Sequence, residues 1–163
     1  MSETWRKIIL NYDLFFISPV VMYGCESWTM TLHNQKRLIS FENKVLRNIC
    51  GPVQDLTSGE WRRRSEEEVR AMTNQPYISS LARERRLEWA GHVVRAPKTR
   101  DIRNLHESYP PGRPRQRWLD NVIRDLQELD VGVEWERLAQ DRMIWRGITP
   151  EARALQGRYG HRK

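Results

Sequence analysis

The stretch WLDNVIRDLQEL, residues 118–129, decides the fold class. Trp118, Leu119, Val122, Ile123, Leu126 and Leu129 recur at helical intervals, and Arg117, Asp120, Arg124, Asp125 and Glu128 oppose them. That spacing gathers the apolar side chains on one stripe of an α-helix and assigns the charged ones to solvent. Gly132 is expected to end this helix. Trp135, Leu138, Ala139 and Trp145 repeat the period in a second one, which gives a helical hairpin with a short connection. The tail after Pro150 is polar and rich in Gly and Arg, and it is expected to fray.

Working toward the N-terminus, residues 98–112 end in Pro110, Pro111 and Gly112 and read as a linker. Before it, Pro76 can open a helix that runs through Leu81, Arg85, Trp89 and Val93 until Pro97 ends it. Gly91 inside that helix costs about 1 kcal/mol relative to Ala, so it marks close approach of another group, by packing or by a ligand. Ser65 followed by Glu66, Glu67 and Glu68 is an N-cap with acids in the first turn, opening a short helix to about Thr73. Residues 53–61 read as a loop. Leu38, Phe41, Val45, Leu46 and Ile49 make residues 34–50 amphipathic, with Thr31 available as a cap and Gly51 and Pro52 as a stop. YGCESW, residues 23–28, reads as extended or turn. Residues 4–17 are densely apolar with poor periodicity; a helix is expected there, closed by Pro19. No strand alternates over more than a few residues. The expected fold is all-α, with about five to six helices.

The 163 residues are 39% apolar and 30% charged, which suits a folded chain with polar segments. The net charge of +7 points to a polyanionic partner, because Arg and Lys that neutralise phosphates release condensed counterions. Residues 83–117 hold ten basic residues against four acids and so carry nearly all of that excess. A solvated helix face followed by an Arg-rich loop would give the same composition. Cys25 and Cys50 lie in apolar contexts and read as reduced, partly buried thiols. Asn11, Asp13 and Pro19 interrupt the apolar run over residues 8–23, which argues against a membrane span or signal and for cytoplasm or nucleus.

Catalytic chemistry finds little support. Two-metal polymerisation needs clustered carboxylates, and the chain contains no Asp-Asp pair. Asp120 and Asp125 are five apart on a helix, so their side chains diverge and both are expected to be solvated. Cys25, His33, Cys50, His92 and His106 lack zinc-ligand spacing, and no third group accompanies Cys25 and His33 as nucleophile and base. No catalytic residue, metal or cofactor is expected.

Nucleic-acid contact is better supplied. RLEWAGHVVRAP, residues 86–97, mixes guanidinium groups with Trp89 and His92, which suits phosphate binding beside a stacking aromatic. Trp89 at helical spacing equally suits a core anchor. In GRPRQRW, residues 112–118, Pro114 fixes an extended entry while Arg113, Arg115 and Arg117 splay along a phosphate track; such basic runs also serve as nuclear localisation signals. Trp118, Trp135 and Trp145 read as structural.

PVVMYGCESW (19–28), RLEWAGHVVRAP (86–97), PPGRPRQRWLDNVIRDL (110–126) and WERLAQDRMIWR (135–146), in this order, resemble the region that follows the polymerase core in LINE-type non-LTR retrotransposon reverse transcriptases. The resemblance spans about residues 17–145. It implies a helical thumb and C-terminal extension that grip RNA, DNA or an RNA–DNA duplex with no chemistry of their own. It maps Arg83, Arg85, Arg86, His92 and Arg95 onto one motif and Arg113, Arg115 and Arg117 onto another as nucleic-acid contacts. The division it suggests is a degenerate palm-to-thumb connector (1–32), a thumb-like subdomain (33–97), a linker (98–112), a C-terminal hairpin (113–147) and a flexible tail (148–163). The residues before Ile17 match loosely, and neither palm nor endonuclease sequence precedes them, which suits a decayed or domesticated fragment. Left without a palm surface, the apolar patch around Phe15, Phe16 and Val20 would suit a palm domain or protein partner, so a helical interaction module and a functionless relic stand as alternatives.

Overall fold

Thr31 and Ser65 start helices, as their hydroxyls predict. In the computed structural model, which describes residues 18–97 and 117–154, the Thr31 hydroxyl accepts from the Asn34 N–H at 3.1 Å and opens α2 (Leu32–Cys50). Gly51 ends that helix at a positive φ of 71°, which glycine adopts without a Cβ clash. Ser65 opens α3 (Glu66–Thr73) with a full capping box, its hydroxyl accepting from the Glu68 N–H while the Glu68 carboxylate accepts from the Ser65 N–H. Arg62 forks onto the same carboxylate, which is held down at about 2 by that guanidinium and by the Ser65 N–H. Ser65→Ala should therefore lower stability by about 1 kcal/mol, and a urea melt with a shift below about 0.3 kcal/mol would show the cap to be idle.

Residues 53–61, expected as loop, contain a short antiparallel ribbon, β1 (Val53–Gln54) with β2 (Trp61–Arg62). Arg64 donates to the Gly51 carbonyl and Arg47 to the Arg64 carbonyl, both at 3.1 Å, which pins the hairpin's ends to the end of α2. The helix expected over residues 4–17 lies outside the described residues, and Pro19 sits in the first turn of α1 (Ser18–Val21), where a missing N–H loses no helical partner. Cys25–Ser27 forms a 3₁₀ turn, entered through Gly24 at φ 68°.

The middle of the molecule is α4 (Ile78–Arg95). It is buried on most of its circumference, Arg83 and Arg86 included, as befits a helix surrounded by others. Leu87, Ala90 and Val94 pack with Trp118, Val122 and Leu126 of α5 (Trp118–Glu128), with Ala139 of α6 (Trp135–Gln140), with Trp145 of α7 (Arg142–Ile148) and with Ala152 of α8 (Glu151–Ala154). The helices on either side of residues 98–112 thus share one core. A smaller cluster of Leu46, Cys50 and Val69 joins α2 to α3. Glu42 ties that pair to the start of α4, accepting from both Arg70 nitrogens and from the Ile78 N–H.

The expected fold class holds in outline: the described residues are mostly helical. The helical segments are more numerous than expected because the hairpin's second arm is two helices. Asp141 breaks it, accepting at Oδ1 from the N–H groups of Met143 and Ile144 and so capping a new helix. Asp130, at φ 56°, turns the chain after α5 where Gly132 was expected to. Thr149 and Ala152, placed by the sequence in a fraying tail, are buried. Among the described residues no helix is long and apolar enough to cross a membrane.

Candidate nucleic-acid interface

The arginines of α4 divide by helical position. Arg83 and Arg86, three residues apart, face α5 and are 6% and 4% exposed. Arg86 donates twice to Asp125 Oδ2, at 2.8 and 2.5 Å; Arg83 lies 3.2 Å from Asp125 Oδ1 and 3.0 Å from Glu128. Asp125, expected in solvent, is buried at the centre of this network. Burial pushes its carboxyl up, and the guanidinium groups of Arg86 and Arg83 pull it back toward ionisation. Two residues expected to touch phosphate are therefore engaged inside the protein. Arg83 and Arg86 have the same three-residue spacing as Asp125 and Glu128, so the two rows pair once the helices pack together.

Arg85, Glu88, Trp89 and His92 form the opposite, outward stripe. Arg85 is exposed and meets Glu88 at 3.1 Å, a contact too solvated to immobilise it. Trp89 stacks on His92 with ring centroids 5.2 Å apart and an interplanar angle of 24°. Trp89 is also packed against the main core, so it serves as an anchor with one flank outward. These residues line one side of an open groove of about 860 Å³, whose other walls include Met22, Leu46 and Ile78. Glu42 and Glu84 also line it, each paired with an arginine.

Arg95, at the end of α4, donates through Nη1 to the Ala139 carbonyl at 2.5 Å. Its guanidinium is held below its ordinary pKa by partial burial and then by the cations Arg142 and Arg146. Those two arginines are exposed, one turn apart on α7, and the sequence reading overlooked them because their motif looked purely structural. Their four-residue spacing was the available signal. Arg117 is half-buried beside α5, its N–H donating to Asp120 at 2.9 Å. Arg113 and Arg115 lie outside the described residues. The structure thus brings Arg85 and His92 onto one surface, sets Arg95 beside Arg142 and Arg146, and withdraws Arg83 and Arg86.

Burial pushes the Cys25 thiol up, with help from Glu26, which disfavours the thiolate a nucleophile would need. Among the described residues no three His, Cys, Asp or Glu side chains are grouped to hold a metal ion.

The four sequence motifs that suggested ancestry are joined in space. Trp118 donates from Nε1 to the Glu26 carbonyl at 2.7 Å, tying the third motif to the first. Trp145 donates from Nε1 to the Leu87 carbonyl at 2.8 Å, tying the fourth to the second. A Caenorhabditis elegans protein named as uncharacterized and transposon-derived is 27% identical over 157 residues, covering 90% of this chain and 56% of its own length. That likeness supports a transposable-element origin. The chain spans little more than half of that relative. No protein-family model and no solved structure matches the chain.

Proposed function

We propose that this chain is a noncatalytic nucleic-acid-binding unit of non-LTR reverse-transcriptase descent, gripping RNA or an RNA–DNA duplex through arginine–phosphate contacts. The observation that carries this reading is where the positive charge remains once the interior is accounted for. With Arg83 and Arg86 neutralised by acids of α5, residues 83–117 still hold eight basic residues against four acids. Arg85 and His92 lie on the outward stripe of α4, Arg95 is its last residue, and Arg117 directly precedes α5. Arg suits this task because its planar fork stays charged and matches phosphate geometry. Arg113 and Arg115 extend the set by sequence.

If Arg85, Arg95, Arg113, Arg115 and Arg117 each neutralise one phosphate, log affinity for duplex falls with log salt at a slope of roughly −4 to −5. Replacing Arg113, Arg115 and Arg117 with Ala should flatten that slope by about three. Fluorescence anisotropy of a labelled RNA–DNA duplex across a salt series measures both. Binding that ignores salt, or no binding, sinks the reading.

A second reading, a helical protein-interaction module, draws on Val20 and Tyr23, which are 75% and 88% exposed near the described N-terminal end. Phe15 and Phe16, the other residues of that expected patch, lie outside the described residues. A stable protein partner co-purifying without nucleic acid, with an unshifted 260 to 280 nm absorbance ratio, would favour it.

A further inference from the structure

We infer that Arg95, Arg142 and Arg146 form a second phosphate-binding point on the nucleic-acid surface, built across the end of α4 and the exposed face of α7. The inference rests on the nucleic-acid reading above and adds to it two residues and a location. Arg95 Nη1 and the Trp145 indole both lie against Gly91, which sets Arg95 beside the helix that carries Arg142 and Arg146, and among the described residues none of these three guanidinium groups has a carboxylate partner. Arg62, Arg70, Arg83, Arg85, Arg86, Arg137 and Arg153 each do; Arg37 and Arg63, like the three of this cluster, have no ion pair among the described residues. Asp141, the acid adjacent to Arg142 in sequence, has its Oδ1 turned to the first N–H groups of α7.

The cluster is also held in place. Arg95 is fixed by its bond to the Ala139 carbonyl through Nη1, which leaves its other guanidinium nitrogens as donors. The helix bearing Arg142 and Arg146 is fixed by Trp145, which is buried between them in sequence and hydrogen-bonded to the backbone of α4. Gathering like charges costs folding free energy, and a protein that keeps such an arrangement on a rigid frame gains from an anion placed among them. A backbone phosphate fits: it offers several acceptor oxygens to forked donors and carries the charge that removes the repulsion. Sequence readout has no part in this contact.

The test compares two double variants of equal charge. Arg142→Gln with Arg146→Gln removes two arms of the cluster. Arg37→Gln with Arg137→Gln removes two exposed arginines elsewhere. Salt-series anisotropy on the same RNA–DNA duplex should show the first variant's slope smaller by about one, for the one phosphate held at this point, and the second's near that of the unaltered protein. Thermal melts should show the first variant melting at the same or a higher temperature, because repulsion around Arg95 has been relieved. If the unaltered protein binds with the expected salt slope and the two double variants behave alike, the cluster proposal is overturned and the general reading survives. If the unaltered protein does not bind, both fall together. A first variant that loses slope only with a large fall in melting temperature shows a structural role instead and also overturns the proposal.

Discussion

Asp125→Ala is expected to destabilise the fold by about 3–5 kcal/mol. The reason is the state in which it leaves Arg86. That guanidinium is almost wholly buried and has both of its donated bonds on Asp125 Oδ2. Arg83 would keep Glu128 at 3.0 Å, so the damage falls unequally on the two arginines. Urea unfolding gives the cost, and a loss under 1 kcal/mol would mean that water reaches the network. Arg86 Nη1 is buried without a hydrogen-bond partner among protein groups, so even the intact network is not fully satisfied. Replacing Arg83, Arg86 and Asp125 together by Met, Met and Leu should consequently recover most of the stability lost in Asp125→Ala, since a packed apolar set avoids burying charge at all. The same placement bears on binding assays. Loss of duplex affinity in Arg83→Ala or Arg86→Ala would report a damaged fold, and must be read beside a melt.

The second large effect concerns the crossing of α4 and α7. Trp145 is 2% exposed, and truncating it to Ala should cost about 3–5 kcal/mol. Gly91 is the other half of that contact. A Cβ at position 91 would meet Nε1 and Cδ1 of the Trp145 indole, too close for any real contact. Gly91→Ala should then destabilise by about 1–3 kcal/mol through overpacking, even though Ala is the better helix former by about 1 kcal/mol. With Trp145 already truncated, only the end of the Arg95 side chain, 3.0 Å away, still borders the added methyl, and Gly91→Ala should turn stabilising by up to about 1 kcal/mol. A double-mutant cycle by chemical denaturation reads this reversal of sign directly. Equal effects of Gly91→Ala in both backgrounds would show that the indole does not pack on this glycine.

Much of the architecture could be read from local chemistry. Thr31, Ser65 and Gly51 act on backbone groups within four residues of themselves, so their roles are present in the sequence as written. The apolar period of residues 118–129 gave α5, and Gly91 announced a close approach without naming what approaches. The failures share one cause. Residues 135–145 were read as one helix, when the Asp141 side chain competes for the backbone and starts another. Asp125 was read as solvated because it is charged. A carboxylate can be buried where a distant segment supplies two guanidinium groups, and no local pattern on α5 says that α4 will do so.

The candidate surface follows the same division. That the chain carries a concentrated excess of arginine, no paired aspartates for metal chemistry, and motifs in a retroelement order is a matter of sequence alone. Which arginines face outward was decided only when α4 was enclosed by its neighbours. Arg83 and Arg86 went inward because their helical face meets Asp125 and Glu128; Arg85 and His92 stayed out because theirs borders the groove. Arg142 and Arg146 gained significance because Trp145, seated on Gly91, sets them beside Arg95. Sequence determines composition, caps and period, which act over a few residues. The fate of a charge depends on the dielectric and the partners around it, and those are fixed by packing between segments dozens of residues apart.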